Sequence, residues 1–360
     1  MFDDLCNYHK FLFYFKYKYY TFVWMRIFRK FLFPFALLYG LVMLLRNFLY
    51  DTGFFKSTKF AFPVICVGNL SAGGTGKTPM IEYLLDLLSR KYKVAALSRG
   101  YGRETTGFVL LNGTEPAREV GDEPLQFKSR FKDAIIAVDE NRVHGISLLK
   151  NRFSPEVVLL DDAFQHRKVK AGLNILLTSY GDLYMNDLML PTGNLREPSI
   201  GAERARIIVV TKCPVNLTKK EQDEIRKKLK LKNHQKLYFS YIEYAENIYN
   251  ENEEISLSAL LEEKITLVTG IANPSPLCQH LDKLKIDFTH IKFPDHHNFS
   301  SLDLKKFTSA SRILTTEKDY MRLKNLLSHP GLYYLPIKMK FISNAEGFKK
   351  ELSHYVLTEK

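Results

Sequence analysis

Residues 64–79 read VICVGNLSAGGTGKTP: an apolar strand, a glycine-rich turn, then Gly76-Lys77-Thr78 opening a helix. The backbone N–H groups of such a turn cradle phosphates, its lysine reaches the β and γ oxygens, and the next hydroxyl holds Mg²⁺. Gly73, Gly74, Thr75, Gly76, Lys77 and Thr78 are therefore the candidate nucleotide contacts, with ATP and Mg²⁺ the expected ligands. The general pattern has Gly where this chain has Ser71. A loop of this kind needs a second buried strand that ends in a carboxylate, and VVLLDD at 157–162 supplies it. Asp161 and Asp162 stand where a carboxylate would hold the metal or its waters, with Thr78 and Asp161 the expected metal ligands. Successive side chains of a strand point to opposite faces, so one of the two aspartates is available to cap a helix instead.

Around these groups lie further polar residues in loops. Arg142 in DENRVHG and Arg196 in GNLREP have the planar donor fork suited to clamping phosphate; each could equally cap a helix or pair with an acid such as Glu140 or Glu197. Gln165 and His166 follow the acidic pair on the loop leaving its strand. Asp122 and Glu123 lie in VGDEP, where a carboxylate can accept a hydroxyl proton or cap the helix that Pro124 begins.

Seven segments, VGNLSAGGTGKTP, SRGYGR, VGDEP, LLDDAFQHR, LPTGNLREP, FPDHHNF and TTEKD, together resemble the tetraacyldisaccharide 4′-kinase family of lipid A biosynthesis. The resemblance runs from about Phe31 to the mid-330s. That family has Ser or Thr at the position of Ser71, so this residue is no departure from it. The resemblance implies transfer of the ATP γ-phosphate to the 4′-hydroxyl of a tetraacylated glucosamine disaccharide 1-phosphate held in the cytoplasmic face of the inner membrane. It puts the catalytic Asp at Asp122, working with a His from the DHH triplet Asp295-His296-His297, and favours His296. The plainer readings of DHH are a surface turn or a metal-ligand cluster. In a kinase, Gln165 and His166 would face the γ-phosphate or the acceptor, and Arg99 and Arg103 in SRGYGR would read the existing 1-phosphate. Glu317, Lys318 and Asp319 match a family motif, but no chemical role follows from it; Lys318 could contact nucleotide or start a solvated helix. The rival is a GGxGKT-type ATPase or GTPase, such as a partitioning ATPase or metallochaperone. Ala72 stands where those ATPases carry a signature lysine, and TKCP at 211–214 lacks the Asn and Asp of a guanine-reading tetrapeptide.

The elements that must hold these groups read as α/β. Short β-branched runs at 62–67, 94–97, 134–138, 157–160, 175–177 and 207–210 alternate with helical stretches such as 79–88, which predicts a P-loop-type doubly wound parallel sheet. The highly charged stretch 216–236 has a helical pattern. Beyond it, runs at 237–239, 265–269, 288–293, 313–315 and 332–337 suggest a second, smaller α/β domain. The expected division is an aromatic, basic extension over 1–24, a membrane-associating helical segment over 25–60, a kinase domain over 61–235 and a C-terminal domain over 236–360. Met25 is a second possible start, so residues 1–24 are an optional extension in this reading.

Composition sets the outer limits. In 360 residues, 46% are apolar and 25% charged, which suits folded domains with proper cores. The net charge of +13 favours an anionic partner: nucleic acid, a membrane surface or a phosphorylated substrate. The aromatic and basic residues cluster at one end beside the apolar run FLFPFALLYGLVMLL at 31–45, which fits anionic lipid better than a nucleic-acid groove. That run would reach ~22 Å as a helix, short of the ~30 Å hydrocarbon core, so it is expected to lie in the interface. The four cysteines form no C-x-x-C pair and read as buried thiols of a reducing compartment. The whole describes a peripheral monomer at the cytoplasmic membrane face.

Overall fold

The computed structural model describes residues 29–359. The extension expected over 1–24 lies outside the described residues. Among the described residues the first long helix is α1 (Phe33–Asp51), with Pro34 in its first turn, where a missing N–H costs nothing. This helix is longer than the apolar run suggested. It continues through Arg46 and Asn47 because the protein uses both: Arg46 Nη2 donates to the Gln165 carbonyl at 2.7 Å, and buried Asn47 lies 3.4 Å from Glu197 Oε2. At 19 residues, or roughly 28 Å, it is long and apolar enough to cross a membrane by length and composition. It nevertheless lies along the protein, with the Tyr39 hydroxyl donating to the Arg196 carbonyl at 2.8 Å.

In chain order there follow β1 (Val64–Asn69), α2 (Lys77–Leu88), β2 (Val94–Ser98), β3 (Val109–Leu110), α3 (Ala117–Val120), α4 (Asp122–Arg130), β4 (Ile135–Val138) and α5 (Arg142–Phe153). Next come β5 (Val157–Asp161), β6 (Leu173–Ser179), β7 (Ile207–Thr211), α6 (Lys219–Leu229), β8 (Lys236–Tyr244), β9 (Asn247–Tyr249) and β10 (Glu254–Ser256). The chain ends with β11 (Ile265–Thr269), α7 (Ser275–Lys283), β12 (Phe288–Lys292), α8 (Ser301–Leu304), β13 (Ile313–Thr316), α9 (Glu317–Leu323), β14 (Leu332–Leu335), β15 (Ile337–Phe341) and α10 (Ala345–Thr358).

Among the described residues, nine strands form one sheet in the order β15-β8-β7-β6-β1-β5-β2-β4-β3, parallel except at its two edges. Strands β1, β2, β5 and β7 are buried at every position, which is why they read as unbroken apolar runs. Successive residues of β1 serve the two faces: Ile65 and Val67 pack with Met80 and Leu84 of α2, whereas Cys66 packs with Leu160 and Phe164. Six strands form the second sheet, β10-β9-β14-β13-β11-β12.

The expected division at 235/236 does not match these sheets. Strand β8 closes the run of parallel strands of the first sheet, and the stretch 332–337 is two strands, not one. Pro336, which has no N–H for a ladder, separates β14 of the second sheet from β15, which returns to the first. The returning α10 is tied to the core by Tyr355, whose hydroxyl bonds both the N–H and the carbonyl of Val64, at 3.1 and 3.0 Å. The two crossings run side by side, Ile337 pairing with Tyr244, so the sheets are joined by a two-stranded neck.

Beside the neck, where Arg130 Nη1 lies 3.4 Å from the Ile337 carbonyl, a buried cluster joins α2, α4 and α9. Arg130 Nη1 lies 2.8 Å from Glu82 Oε2 and 3.6 Å from Glu317 Oε2, and Gln126 donates to Glu82 at 2.8 Å. One cation faces two carboxylates, so burial and the Glu317 charge push Glu82 up to about 8. A carboxyl raised on folding destabilises the ionised protein, so stability falls as pH rises toward about 8. Glu82→Gln, which copies the protonated form and cannot ionise when unfolded, is expected to match the parent's melting temperature near pH 4, below the unfolded carboxyl's pKa of ~4.3, and to exceed it increasingly up to pH 9. Equal melting temperatures at both would mean that Glu82 ionises without cost.

Candidate active site

The phosphate loop leaves β1 at the middle of the larger sheet and enters α2. Gly76 precedes the helix with φ of 86°, a left-handed conformation that favours glycine. Gly68 is fixed for another reason: a Cβ there would lie 2.6 Å from Phe164 Cβ, so the loop's base can press against the loop after β5. Lys77 Nζ lies 3.3 Å from Asn69 Oδ1 and 3.6 Å from Asp162 Oδ2. Thr78 Oγ1 donates to Glu123 Oε1 at 3.2 Å. The Thr75 hydroxyl is buried without a partner, and its carbonyl accepts from Thr211 at 2.7 Å. Lys212 Nζ closes the loop from outside, 2.5 Å from the Gly74 carbonyl.

Asp161 and Asp162 do separate, because Asp162 takes a left-handed φ of 46° just past the strand. Asp161 Oδ2 accepts from the Ser98 hydroxyl at 3.0 Å, while its buried Oδ1 has no partner among the described residues. Burial, Glu123 and Asp162 push Asp161 up to about 7. Burial would raise Asp162 too, but Lys77, Arg196 and Arg142 outweigh it and hold that carboxyl low. Arg196 grips Asp162 with Nη2 at 2.9 Å and Nη1 at 3.3 Å, and also donates to Asn69 Oδ1. Asn69 thereby gathers Lys77 and Arg196, a role that its place in VGNLS did not announce.

Arg142 is not free to clamp phosphate. It is fully buried and donates to the backbone carbonyls of Asp139 at 2.5 Å and Asp161 at 3.0 Å, so it braces the strand ends. Arg103 pairs with Glu140 at 2.5 Å and the Gly107 carbonyl at 2.6 Å, leaving Arg99 as the exposed arginine of SRGYGR. Gln165 Nε2 donates to the Asn69 carbonyl at 2.8 Å, and its Oε1 is buried without a partner. His166 Nε2 is likewise buried and unpartnered; burial, then Arg142, Lys168, Arg99 and Arg46 push that imidazole down to about 4.

The second sheet brings its residues across to α4. His296, with φ of 55°, sets its Nδ1 3.5 Å from Asp122 Oδ2, and Tyr101 meets the ring edge-on at 5.3 Å. His297 instead stacks on Phe293 and bonds Asp303 at 3.0 Å, so it supports the loop. Lys318 and Arg322 of α9 complete the group. Lys318 Nζ lies 3.1 Å from Glu123 Oε1, 3.2 Å from His296 Nε2 and 3.8 Å from Asp122 Oδ2, and Arg322 Nη2 donates to Asp122. Burial alone would raise the Asp122 carboxyl, but the His296 bond, Lys318 and Arg322 together hold it well below the usual carboxylate range. Asp319 anchors α9 by accepting from the Gly270 N–H at 2.9 Å and the Thr316 hydroxyl at 2.7 Å. Arg322 was missed in the sequence because nothing local marks it.

Binding nucleotide phosphates needs only the first sheet. Here the second sheet adds an imidazole beside a carboxylate next to the loop, which together with the loop fits a P-loop kinase. The sequence model of the family described as Tetraacyldisaccharide-1-P 4′-kinase matches residues 28–357. The chain belongs to that family. It is 53% identical over 336 residues to the tetraacyldisaccharide 4′-kinase of Flavobacterium johnsoniae, covering 92% of this chain and 98% of that one. With that of Bacteroides thetaiotaomicron it shares 44% over 353 residues, covering 91% and 93%. LpxK from Aquifex aeolicus, solved in complex with ATP, superposes with a TM-score of 0.76 at 33% identity, covering 91% of this chain and 99% of that one.

Proposed function

We propose that this protein transfers the γ-phosphate of ATP to the 4′-hydroxyl of a tetraacylated glucosamine disaccharide 1-phosphate, giving the 1,4′-bisphosphate lipid. The observation that carries it is the approach of Asp122 and His296 to the Lys77–Thr78 loop in a chain of this family. Lys77, Arg196 and the loop amides hold and neutralise phosphate, while Asp122 accepts the hydrogen bond of the attacking hydroxyl and fixes its direction. Phosphoryl transfer has a loose transition state, so positioning and electrostatics dominate and a weak base suffices.

The residues present fit Mg²⁺. Asp161 offers a buried carboxylate oxygen without a partner among the described residues, and the Thr78 hydroxyl at the start of α2 bonds Glu123, whose charge acts on Asp161. When bound there, the ion would neutralise charge on the phosphate oxygens. Exposed Arg99 is the candidate reader of the 1-phosphate, and Gln165 and His166 are the candidates to face the reacting groups. Incubation with MgATP and the disaccharide 1-phosphate lipid should give a product heavier by one phosphate; no mass gain would end the kinase reading.

In the proposed reading the enzyme works at the cytoplasmic membrane surface with α1 as its anchor, and the exposed apolar face of that helix supports this. Phe35, Leu38 and Leu41 are each more than 60% exposed, and Leu45, Phe48, Leu188 and Ile200 extend the apolar surface. A patch of this size marks an interaction surface. Contacts along the helix length to Arg196, Gln165 and Glu197 keep it on the protein, which favours lying in the interface over spanning. Leu38→Asp with Leu41→Asp is expected to cut sedimentation with anionic vesicles at least tenfold, since each buried leucine contributes about 2 kcal/mol. The melting temperature should stay within about 2 °C, because surface changes cost little. High salt should weaken binding of the parent without abolishing it. Undiminished sedimentation of the double variant would move the anchor elsewhere.

A further inference from the structure

His296 stands between two groups that can only donate. Lys318 Nζ faces its Nε2 at 3.2 Å, and Arg322 Nη2 faces its Nδ1 at 3.1 Å. An uncharged imidazole has one lone pair for accepting and one N–H for donating, so it cannot satisfy both cations at once. The two tautomers are not equivalent here. With the proton on Nδ1, the ring donates toward Asp122 Oδ2 at 3.5 Å and accepts from Lys318 at Nε2, so both nitrogens are used. Arg322 then gives up its contact with Nδ1, but its charge stays paired, because it still donates to Asp122 and, through Nη1, to Asp319 Oδ1 at 3.2 Å. With the proton on Nε2, that N–H would point at an ammonium, and Asp122 would lose its imidazole donor.

We infer that Lys318 is a positioning residue that selects the Nδ1–H tautomer of His296, and so keeps the imidazole pointed at Asp122 as a donor. This rests on the reading of Asp122 as the residue that receives the acceptor hydroxyl. It assigns His296 the task of orienting the carboxylate; an Nδ1 that already carries a proton cannot take another from Asp122. The same ammonium holds Glu123 Oε1 at 3.1 Å, and Glu123 accepts from Thr78 of the phosphate loop at 3.2 Å. One lysine from the second sheet thus ties the nucleotide loop to the acceptor-side pair. Two of its partners, Asp122 and Glu123, lie nearly two hundred residues away in sequence.

The test is the ring nitrogen spectrum of ¹⁵N-histidine-labelled full-length protein in mildly alkaline buffer, with His296 assigned by its disappearance in His296→Gln. The parent should show Nδ1–H. Lys318→Met, which keeps the stem and removes the donor, should switch the ring to Nε2–H, with Arg322 then donating to Nδ1. Lys318→Arg should keep Nδ1–H. Turnover of Lys318→Met should fall roughly a hundredfold, since a histidine in the wrong tautomer is a poor partner, with the ATP KM within about twofold. In an Asp122→Asn background the same substitution should cost less than about threefold. An unchanged tautomer in Lys318→Met, or Nε2–H in the parent, overturns the inference; so does a raised ATP KM with an unaltered ring, which would make Lys318 a nucleotide contact. Full activity of Asp122→Asn alone would instead remove the acid–base reading, while the nitrogen spectrum still decides what Lys318 does.

Discussion

Lys77→Ala is expected to lower phosphoryl transfer by roughly 10³-fold or more, because preorganised charge on the transferring group is the largest contribution to this chemistry. The structure shows the lysine already aimed. Its Nζ is held by Asn69 and Asp162 at 3.3 and 3.6 Å, so little ordering remains to be done when phosphate arrives. Lys77→Arg should recover little of the loss, since a longer planar guanidinium cannot replace a compact ammonium in that space. Thr78→Ala should be milder, raising the Mg²⁺ concentration needed for half-maximal rate, and it also frees Glu123 from its 3.2 Å bond. The measurement is the initial rate against ATP and Mg²⁺ concentration. Near-normal turnover by the Lys77→Ala variant would mean that this loop is not the nucleotide site.

The phosphate loop was legible because every part of it is local: a strand, three glycines and Gly-Lys-Thr within sixteen residues, whose conformations are dictated by their own backbone. The acidic pair was legible for the same reason, although which aspartate faces where depended on the left-handed turn at Asp162. Arg142 shows the limit. After a polar loop it reads as a phosphate clamp, yet it is buried and the carbonyls of Asp139, just past β4, and Asp161, at the end of β5, take its donors. Burial is set by neighbours far along the chain, and one arginine in a loop carries no sign of it.

The same limit explains the second sheet. Its strands were visible as apolar runs, but sheet membership is a matter of pairing between distant segments. A charged helix at 219–229 looked like a boundary, and only the pairing of β8 with β7 shows that the first sheet continues past it. Pro336 inside an apolar run was the one local signal that two strands meet there. Lys318 stood out in the sequence only as a possible nucleotide contact or helix start, and Arg322 not at all, because their partners Glu123 and Asp122 lie 195 and 200 residues away. A cation's role depends on which carboxylate it meets.

Asp122→Asn should lower kcat by about 10²–10⁴-fold with little change in the ATP KM, the usual range for loss of a general base. The carboxyl is held well below the usual range by His296, Lys318 and Arg322, so its affinity for a proton is small. Its contribution is then mainly directional: it accepts the hydroxyl's hydrogen bond while the imidazole fixes its plane. A depressed carboxyl also contributes to folding, and that contribution is present above its unfolded pKa of ~3.9 and is lost as pH falls below it. The asparagine variant, which carries no charge for Arg322 and Lys318, should therefore melt a few degrees lower at neutral pH, and an unchanged ATP KM separates the chemical loss from unfolding. His296→Ala should lower kcat by a similar factor without changing the ATP KM, because Asp122 loses its orienting donor while Lys77 and Arg196 keep their phosphate. The double variant should be little worse than the poorer single one, since groups acting as a unit do not contribute additively. Multiplicative losses would show that Asp122 and His296 act separately, and would leave His296 as a support of the loop beside His297.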